Sequence, residues 1–201
     1  WHTNWRDYEI QMILIAYTYL FEYLREMLFV KEIKKKYITQ RKNTFRDIEY
    51  NSYKNLKLII FDVDDTLTGF FQKFDENTKK IIKKLSQKYQ VVILTNSTKG
   101  REEEIKKEFD KTNIFVKGMA DKPMKHSFQF ILEKFDISPE NTMMVGDNPF
   151  ADMWGAYRVN IRHRILIEPL SSVDKNIKET FFLFRILRGF ERKLFIKKWK
   201  I

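Results

Sequence analysis

Cysteine is absent from this 201-residue chain. That excludes a disulfide scaffold and a cysteine-ligated zinc site, and it fits a reducing compartment. Long apolar runs are lacking too. The densest, Ile10–Phe21, has only Gln11 and Thr18 clearly polar before Glu22, Arg25 and Glu26 follow, whereas about 20 apolar residues are needed to cross a bilayer. Histidine is scarce, and neither His126 nor His163 stands in a motif with a partner, so both read as surface or packing residues. A methionine start is missing as well; Trp1 gives the expectation of a processed or trimmed product whose targeting segment is out of view.

What is present is one core domain with appendages, long enough to bury most of its apolar surface without staples. The net charge of +11 is unevenly spread. Residues 1–55 carry 10 basic and 7 acidic side chains, residues 56–170 carry 19 and 17, and residues 171–201 carry 9 and 3. The middle is nearly neutral and the tail is basic. Such a tail fits an anionic partner, either lipid headgroups or nucleic-acid phosphates. The aromatic residues of the tails read as packing rather than a base-stacking platform, which makes nucleic acid the weaker option. The expected organisation is an N-terminal helical extension over 1–55, a core over 56–170 and a basic amphipathic helix within 171–201.

In the extension, a helix capped by Thr3 or Asn4 and running to about Tyr37 fits either packing on a protein surface or an interfacial membrane helix. Lys31–Lys42 reads as a charged connection. The core alternates strands and helices. Strands are expected at Leu58–Phe61, Val91–Leu94, Ile114–Val116, Thr142–Val145 and Ile165–Ile167, and helices at Asn77–Tyr89, Glu102–Phe109, Pro123–Phe135 and Phe150–Arg158. That rhythm predicts an α/β fold, a doubly wound parallel sheet with helices on both faces. In Phe181–Ile201, Leu183, Ile186, Leu187, Phe190 and Leu194 form one face and Arg185, Arg188 and Arg192 the other. This helix suits a membrane surface or a cover for the core.

The chemistry gathers at strand ends. Leu58–Phe61 runs straight into Asp62-Val63-Asp64-Asp65-Thr66, at the edge where open α/β sheets bind ligands. Taken alone, three aspartates in four residues also fit a solvated, helix-capping turn. Three further loops add to them: Thr95-Asn96-Ser97, whose hydroxyl and N–H groups suit a phosphate; Asp121-Lys122-Pro123, with Pro123 expected in the first helical turn; and Gly146-Asp147-Asn148-Pro149 with Asp152 beyond. Carboxylates, a hydroxyl and an ammonium together suit phosphoryl transfer, where catalysis is positioning plus cationic stabilisation. Asp62 would attack phosphorus, Lys122 and Mg²⁺ would offset charge, and Asp64 would protonate the leaving oxygen and then activate water. Mg²⁺ is the natural ion for an all-oxygen site that shares ligands with phosphate.

These residues resemble the haloacid dehalogenase superfamily of aspartyl-phosphate hydrolases. DVDDT at Asp62–Thr66 matches its first motif, Thr95 its second, Lys122 its third and GDNPFAD at Gly146–Asp152 its fourth. The resemblance implies a Rossmann-like core with Asp62, Asp64 and Lys122 catalytic. It further implies that Thr95, Asn96 and Lys122 bind the substrate phosphate and that Asp62, Asp64, Asp147 and Asp152 hold Mg²⁺. Only 28 residues separate Thr66 from Thr95, and 26 separate Thr95 from Lys122, too few for a cap domain, so an open site and a large substrate are expected. The subfamily most similar is the phosphatidylglycerophosphate phosphatase-like group of bacteria and mitochondria, on Ala120–Met124 with Phe128, on VGDNPFADMWGAYRVNIRHRILIEPL, and on Arg185, Arg188, Glu191, Arg192 and Lys193. Asp65, where relatives often carry Asn, and Asn160, in the place of a Gly, depart from that pattern.

The resemblance implies a phosphomonoesterase acting on phosphatidylglycerophosphate or a similar lipid headgroup at a membrane surface. The compartment would be the cytoplasm or the mitochondrial matrix, on the inner face of a membrane. Two other readings fit the sequence: an assembly subunit of a large complex that keeps the fold, with the N-terminal helix docked on a protein partner, and a phosphatase of protein or nucleic acid.

Overall fold

The apolar tetrad Leu58–Phe61 forms the strand expected of it, fully buried and flanked on both sides by parallel neighbours. The computed structural model describes residues 37–70 and 72–170. Among these, six strands, β1 (Gln40–Lys42), β2 (Leu58–Phe61), β3 (Gln90–Leu94), β4 (Phe115–Lys117), β5 (Thr142–Gly146) and β6 (His163–Ile167), form one parallel sheet in the order β1-β6-β5-β2-β3-β4. Helices α1 (Glu76–Ser86), α2 (Lys99–Glu108), α3 (Lys125–Phe135) and α4 (Gly155–Arg158) lie between the strands, and a π-helical stretch, Pro149–Trp154, leads into α4.

Side chains alternate between the two faces of each strand. One face carries Ile59, Phe61, Val91, Ile93, Met143, Val145, Ile165 and Ile167, covered by Ile82 of α1, Ile105 of α2 and Phe109. Leu58, Ile60, Val92, Leu94 and Met144 take the other. Phe128 and Ile131 of α3 and Ala156 of α4 are buried as well. At Gly155 the two helices touch, since a Cβ there would stand 2.6 Å from Phe128 Cε2. The sheet is doubly wound, as its strand and helix rhythm predicts.

Two helices start on side-chain caps: Asp75 accepts from the Thr78 N–H at 2.8 Å, and Thr98 from the Arg101 N–H at 3.4 Å. The third does not start where proline chemistry suggested. Pro123, expected in its first turn, follows a cis peptide bond from Lys122, and α3 begins at Lys125.

The larger correction concerns the domain boundary. Residues 37–55, expected in the N-terminal extension, are part of the core. β1 pairs with β6, Gln40 beside Ile165 and Lys42 beside Ile167, and the Thr39 N–H donates to the Arg164 carbonyl at 2.9 Å. Phe45 and Ile48 pack on the sheet. The chain divides into compact units at Lys36 and Tyr37 rather than at Leu56. Gln40, Arg41 and Lys42 have no apolar rhythm, so the charged connection read over Lys31–Lys42 concealed an edge strand, where charge is ordinary. The expected N-terminal helix and the helix over Phe181–Ile201 fall outside the described residues.

Strand order reverses between β5 and β2: from β2 the chain moves outward through β3 to β4, then returns to β5 and moves the other way to β6. Register places Phe61 beside both Ile93 and Val145. The loops opening with Asp62, Thr95 and Asp147 therefore leave the sheet at one level, at the point where such folds form their ligand crevice. Among the described residues, the stretch between β2 and α1 contains no helix or strand, in line with an open site.

Candidate active site

Asp62 opens the site. Its N–H continues the sheet by donating to the Val145 carbonyl at 3.0 Å, and the chain then folds over Val63, whose carbonyl accepts N–H bonds from Thr66, Leu67 and Thr68 at 2.9–3.2 Å. Asp65 takes a left-handed conformation, φ 63°, which Asp and Asn tolerate better than other side chains. The turn keeps Val63 and Leu67 in the core while Asp62 and Asp64 stay 7% exposed.

Lys122 binds two of the aspartates. Its ammonium donates to Asp62 Oδ1 and Asp152 Oδ1, each at 2.6 Å, with the lysine side chain 2% exposed. Burial alone would pull Lys122 down, but the Asp152 and Asp62 carboxylates outweigh it and hold the ammonium above the ordinary lysine value. At Asp152, burial pushes the carboxyl up to about 6 against the pull of Lys122, and the Asp62 charge adds to the rise. Of the three protons on an ammonium, two are engaged and the third is free to meet an incoming oxygen.

The fourth loop is shaped to bring Asp152 inward. The Asn148 side chain accepts the Phe150 and Ala151 N–H groups, both at 2.9 Å, and the wide turn of the π-helix follows. Asp152 Oδ2 accepts the Asn148 N–H at 3.1 Å. Gly146 makes room for that carboxylate: a Cβ there would lie 2.2 Å from Asp152 Oδ2. Thr66 joins the first loop to the fourth, its hydroxyl donating to Asp62 Oδ2 and accepting the Asp147 N–H, each at 3.1 Å.

Asp62, Asp147 and Asp152 are buried and present ligand oxygens within 4.8 Å of one another. An all-carboxylate set suits a hard divalent cation, Mg²⁺ above all. The Asp64 carboxylate, expected in that set, is not in it: its Oδ2 accepts the Ser97 hydroxyl at 2.9 Å. Asn96, expected on the phosphate, is also engaged elsewhere. Its Nδ2 donates to the Lys122 carbonyl at 2.9 Å and its Oδ1 accepts the Lys122 N–H at 2.8 Å. Thr95 is buried at the end of β3 and accepts the Ser97 N–H at 3.1 Å, which leaves its hydroxyl proton available. Sequence reasoning gave no individual role to Thr66, Asn148 or Gly146, and placed Ser97 only within a loop suited to phosphate. Their signal was adjacency to the strand-end motifs; the pairings of Ser97 with Asp64 and of Thr66 with Asp147 are tertiary, while those of Asn148 and Gly146 lie within the fourth loop.

Residues 72–160 match the family model of the haloacid dehalogenase-like hydrolases. The match covers Thr95, Lys122, Asp147 and Asp152 and begins after Asp62. No curated protein matches the chain. Similar solved structures include an uncharacterized protein from Listeria monocytogenes serotype 4b, at 22% identity and TM-score 0.47, covering 64% of this chain and 85% of that one. A 2-haloacid dehalogenase from Pseudomonas syringae pv. Tomato DC3000 is similar at 20% identity and TM-score 0.38, over 47% of this chain and 41% of that one. A haloacid dehalogenase-like family hydrolase from Xanthomonas campestris is similar at 11% identity and TM-score 0.40, over 69% and 97%.

Proposed function

We propose that this chain is a Mg²⁺-dependent phosphomonoesterase working through an aspartyl-phosphate at Asp62. The observation that carries this reading is the buried Asp62–Lys122–Asp152 network with Asp147 beside it, at the reversal of strand order. Asp62 attacks phosphorus, the bond to the leaving oxygen breaks, and Asp64, two residues on, gives that oxygen its proton. Water then yields a proton to Asp64 and its oxygen attacks phosphorus, which releases phosphate and restores Asp62. The free proton of Lys122 and the Thr95 hydroxyl meet phosphoryl oxygens. Asp62, Asp147 and Asp152 would hold Mg²⁺, which would supply positive charge to offset that of the phosphoryl group.

Transfer to phosphorus rather than halide displacement is favoured by the acid at Asp64, because a halide leaves without a proton. The charge of the site argues for the cation: Asp62, Asp147 and Asp152 gather beside one lysine that binds two of them, an environment that repels an anionic substrate unless a metal ion comes with it.

The substrate in this proposal is phosphatidylglycerophosphate or a related lipid headgroup, reached by an uncapped site at a membrane surface, with the basic segment 171–201 facing the headgroups. Among the described residues no helix is long and apolar enough to cross a membrane. The reading puts the protein on the inner face of a membrane, in the cytoplasm or the mitochondrial matrix, with the N-terminal segment available to a protein partner.

The test is Mg²⁺-dependent phosphate release from phosphatidylglycerophosphate in mixed micelles, with Asp62→Asn and an EDTA-treated sample alongside. Release that both lose supports mechanism and substrate together. Asp62-dependent hydrolysis of p-nitrophenyl phosphate without release from the lipid keeps the chemistry and discards the lipid. No turnover of either leaves the fold as a scaffold in an assembly.

A further inference from the structure

The pairing of Asn96 with Lys122 is chemically unambiguous. The Lys122 N–H can only donate and its carbonyl can only accept, so the amide oxygen must face the first and the amide nitrogen the second. The two bonds, 2.8 and 2.9 Å, join positions 26 residues apart and leave the acceptor Oδ1 and the donor Nδ2 both engaged on one residue. Around this clamp the neighbouring backbone is tied to the same turn. The Met119 N–H donates to the Ser97 carbonyl at 2.9 Å, and the Ala120 N–H to the Thr95 carbonyl at 3.1 Å. The residues before Lys122 need such ties, because Met119 and Asp121 both hold positive φ, 46° and 50°, a conformation that costs non-glycine residues energy and persists only when the surroundings enforce it.

We infer that Asn96 is a positioning residue: it fixes the Lys122 backbone so that the ammonium reaches Asp62 and Asp152, and its effect on phosphoryl transfer passes through Lys122 rather than through a contact with phosphate. The inference rests on the proposed phosphatase chemistry for its kinetic part alone. Thr95, Asn96 and Ser97 then divide the work of one short turn, since Ser97 holds the Asp64 acid while Asn96 holds the cation, so the turn sets the distance between the two.

The experiment is a double-mutant cycle on full-length protein, read with p-nitrophenyl phosphate and with inhibition by inorganic phosphate. Hydrogen–deuterium exchange of the segment 118–124 supplies a readout that needs no turnover. Lys122→Met lowers kcat by on the order of 10²–10³-fold. Asn96→Ala lowers it by on the order of 10–100-fold, the range for misplacing a catalytic group. Added to Lys122→Met, the same change costs no more than about twofold further, because interacting positions are not additive. Exchange in 118–124 quickens in Asn96→Ala while that of 58–61 is unchanged. Asn96→Asp, of the same shape, keeps the acceptor for the Lys122 N–H and loses the donor, so its exchange and its kcat fall between the two. A direct phosphate contact predicts otherwise: Asn96→Ala would weaken phosphate inhibition by the same factor with and without Lys122, and exchange would not move. That result overturns the inference. A wild type that does not turn over p-nitrophenyl phosphate removes the phosphatase reading, and the exchange data alone then decide for or against the clamp.

Discussion

Gly146→Ala is expected to damage both stability and the site, by way of a single carboxylate. The added Cβ would stand 2.2 Å from Oδ2, 2.5 Å from Cγ and 2.8 Å from Cβ of Asp152. The side chain cannot step aside cheaply, because Oδ1 binds Lys122 at 2.6 Å and Oδ2 accepts the Asn148 N–H at 3.1 Å. Overpacking a filled core costs about 1–3 kcal/mol. Moving the carboxylate also leaves a buried N–H without its acceptor, about 1–3 kcal/mol more. A total of about 4 kcal/mol is a large share of the roughly 5–15 kcal/mol that holds a domain together. For a unit of this size it lowers Tm by about 8–16 °C. Thermal and urea unfolding measure it, with Gly100→Ala as the control, since the nearest atom to a Cβ there is Thr98 Oγ1 at 3.9 Å. In an Asp152→Gly background the clashing Oδ2, Cγ and Cβ are all gone, and Gly146→Ala should then cost less than about 1.5 kcal/mol. A Gly146→Ala protein with wild-type Tm, or one equally damaged with and without Asp152, refutes the reasoning.

Two further outcomes follow from the site and the sheet. Ser97→Ala removes the hydroxyl bonded to Asp64, and is expected to slow release from an alkyl phosphate, on the order of tenfold, more than from p-nitrophenyl phosphate, whose leaving group needs little acid help; equal losses on both would contradict that role. His163, half-buried and 4.8 Å from the Tyr53 ring centre, is held below its ordinary 6.5 by burial and by the Arg162 and Arg164 charges. The folded state then binds fewer protons than the unfolded one, so this group's contribution to stability is lost as pH falls below about 6.5. Asp152, pushed up to about 6, acts with the opposite sign. The test is therefore the difference between wild type and His163→Gln in urea titrations from pH 7.5 to 5, where the wild type loses more stability; parallel curves would remove the assignment.

Five of the six strands were legible: four because burial on both faces demands unbroken apolar runs, as at Leu58–Phe61 and Val91–Leu94, and β4 as the short apolar stretch Ile114–Val116, one residue early. β1 was not, since Gln40, Arg41 and Lys42 are held by backbone bonds to β6 and have no rhythm to read. The start of α3 was misplaced because a proline before a helical pattern looks like a first-turn residue, and the cis bond at Pro123 leaves no mark in composition. At the site, residue types and strand-end placement gave the aspartates, Thr95 and Lys122. They could not say that the Asn96 amide faces a backbone rather than a phosphate, or that Gly146 matters for a carboxylate six positions on. The first depends on two loops meeting at the sheet edge, the second on how the fourth loop folds back on its own start.

The margins of the sheet have a consequence for how the molecule behaves in a crowd of its own kind. β1 and β4, the outermost strands, are each three residues long and carry Gln40, Arg41, Lys42 and Lys117. Behind β1 lies β6, whose Ile165, Leu166 and Ile167 are buried. A fragment begun at Leu56 would strip away β1 and present that apolar strand as an open template for pairing. The two short, charged edge strands are what keep the four strands between them from meeting one another across molecules.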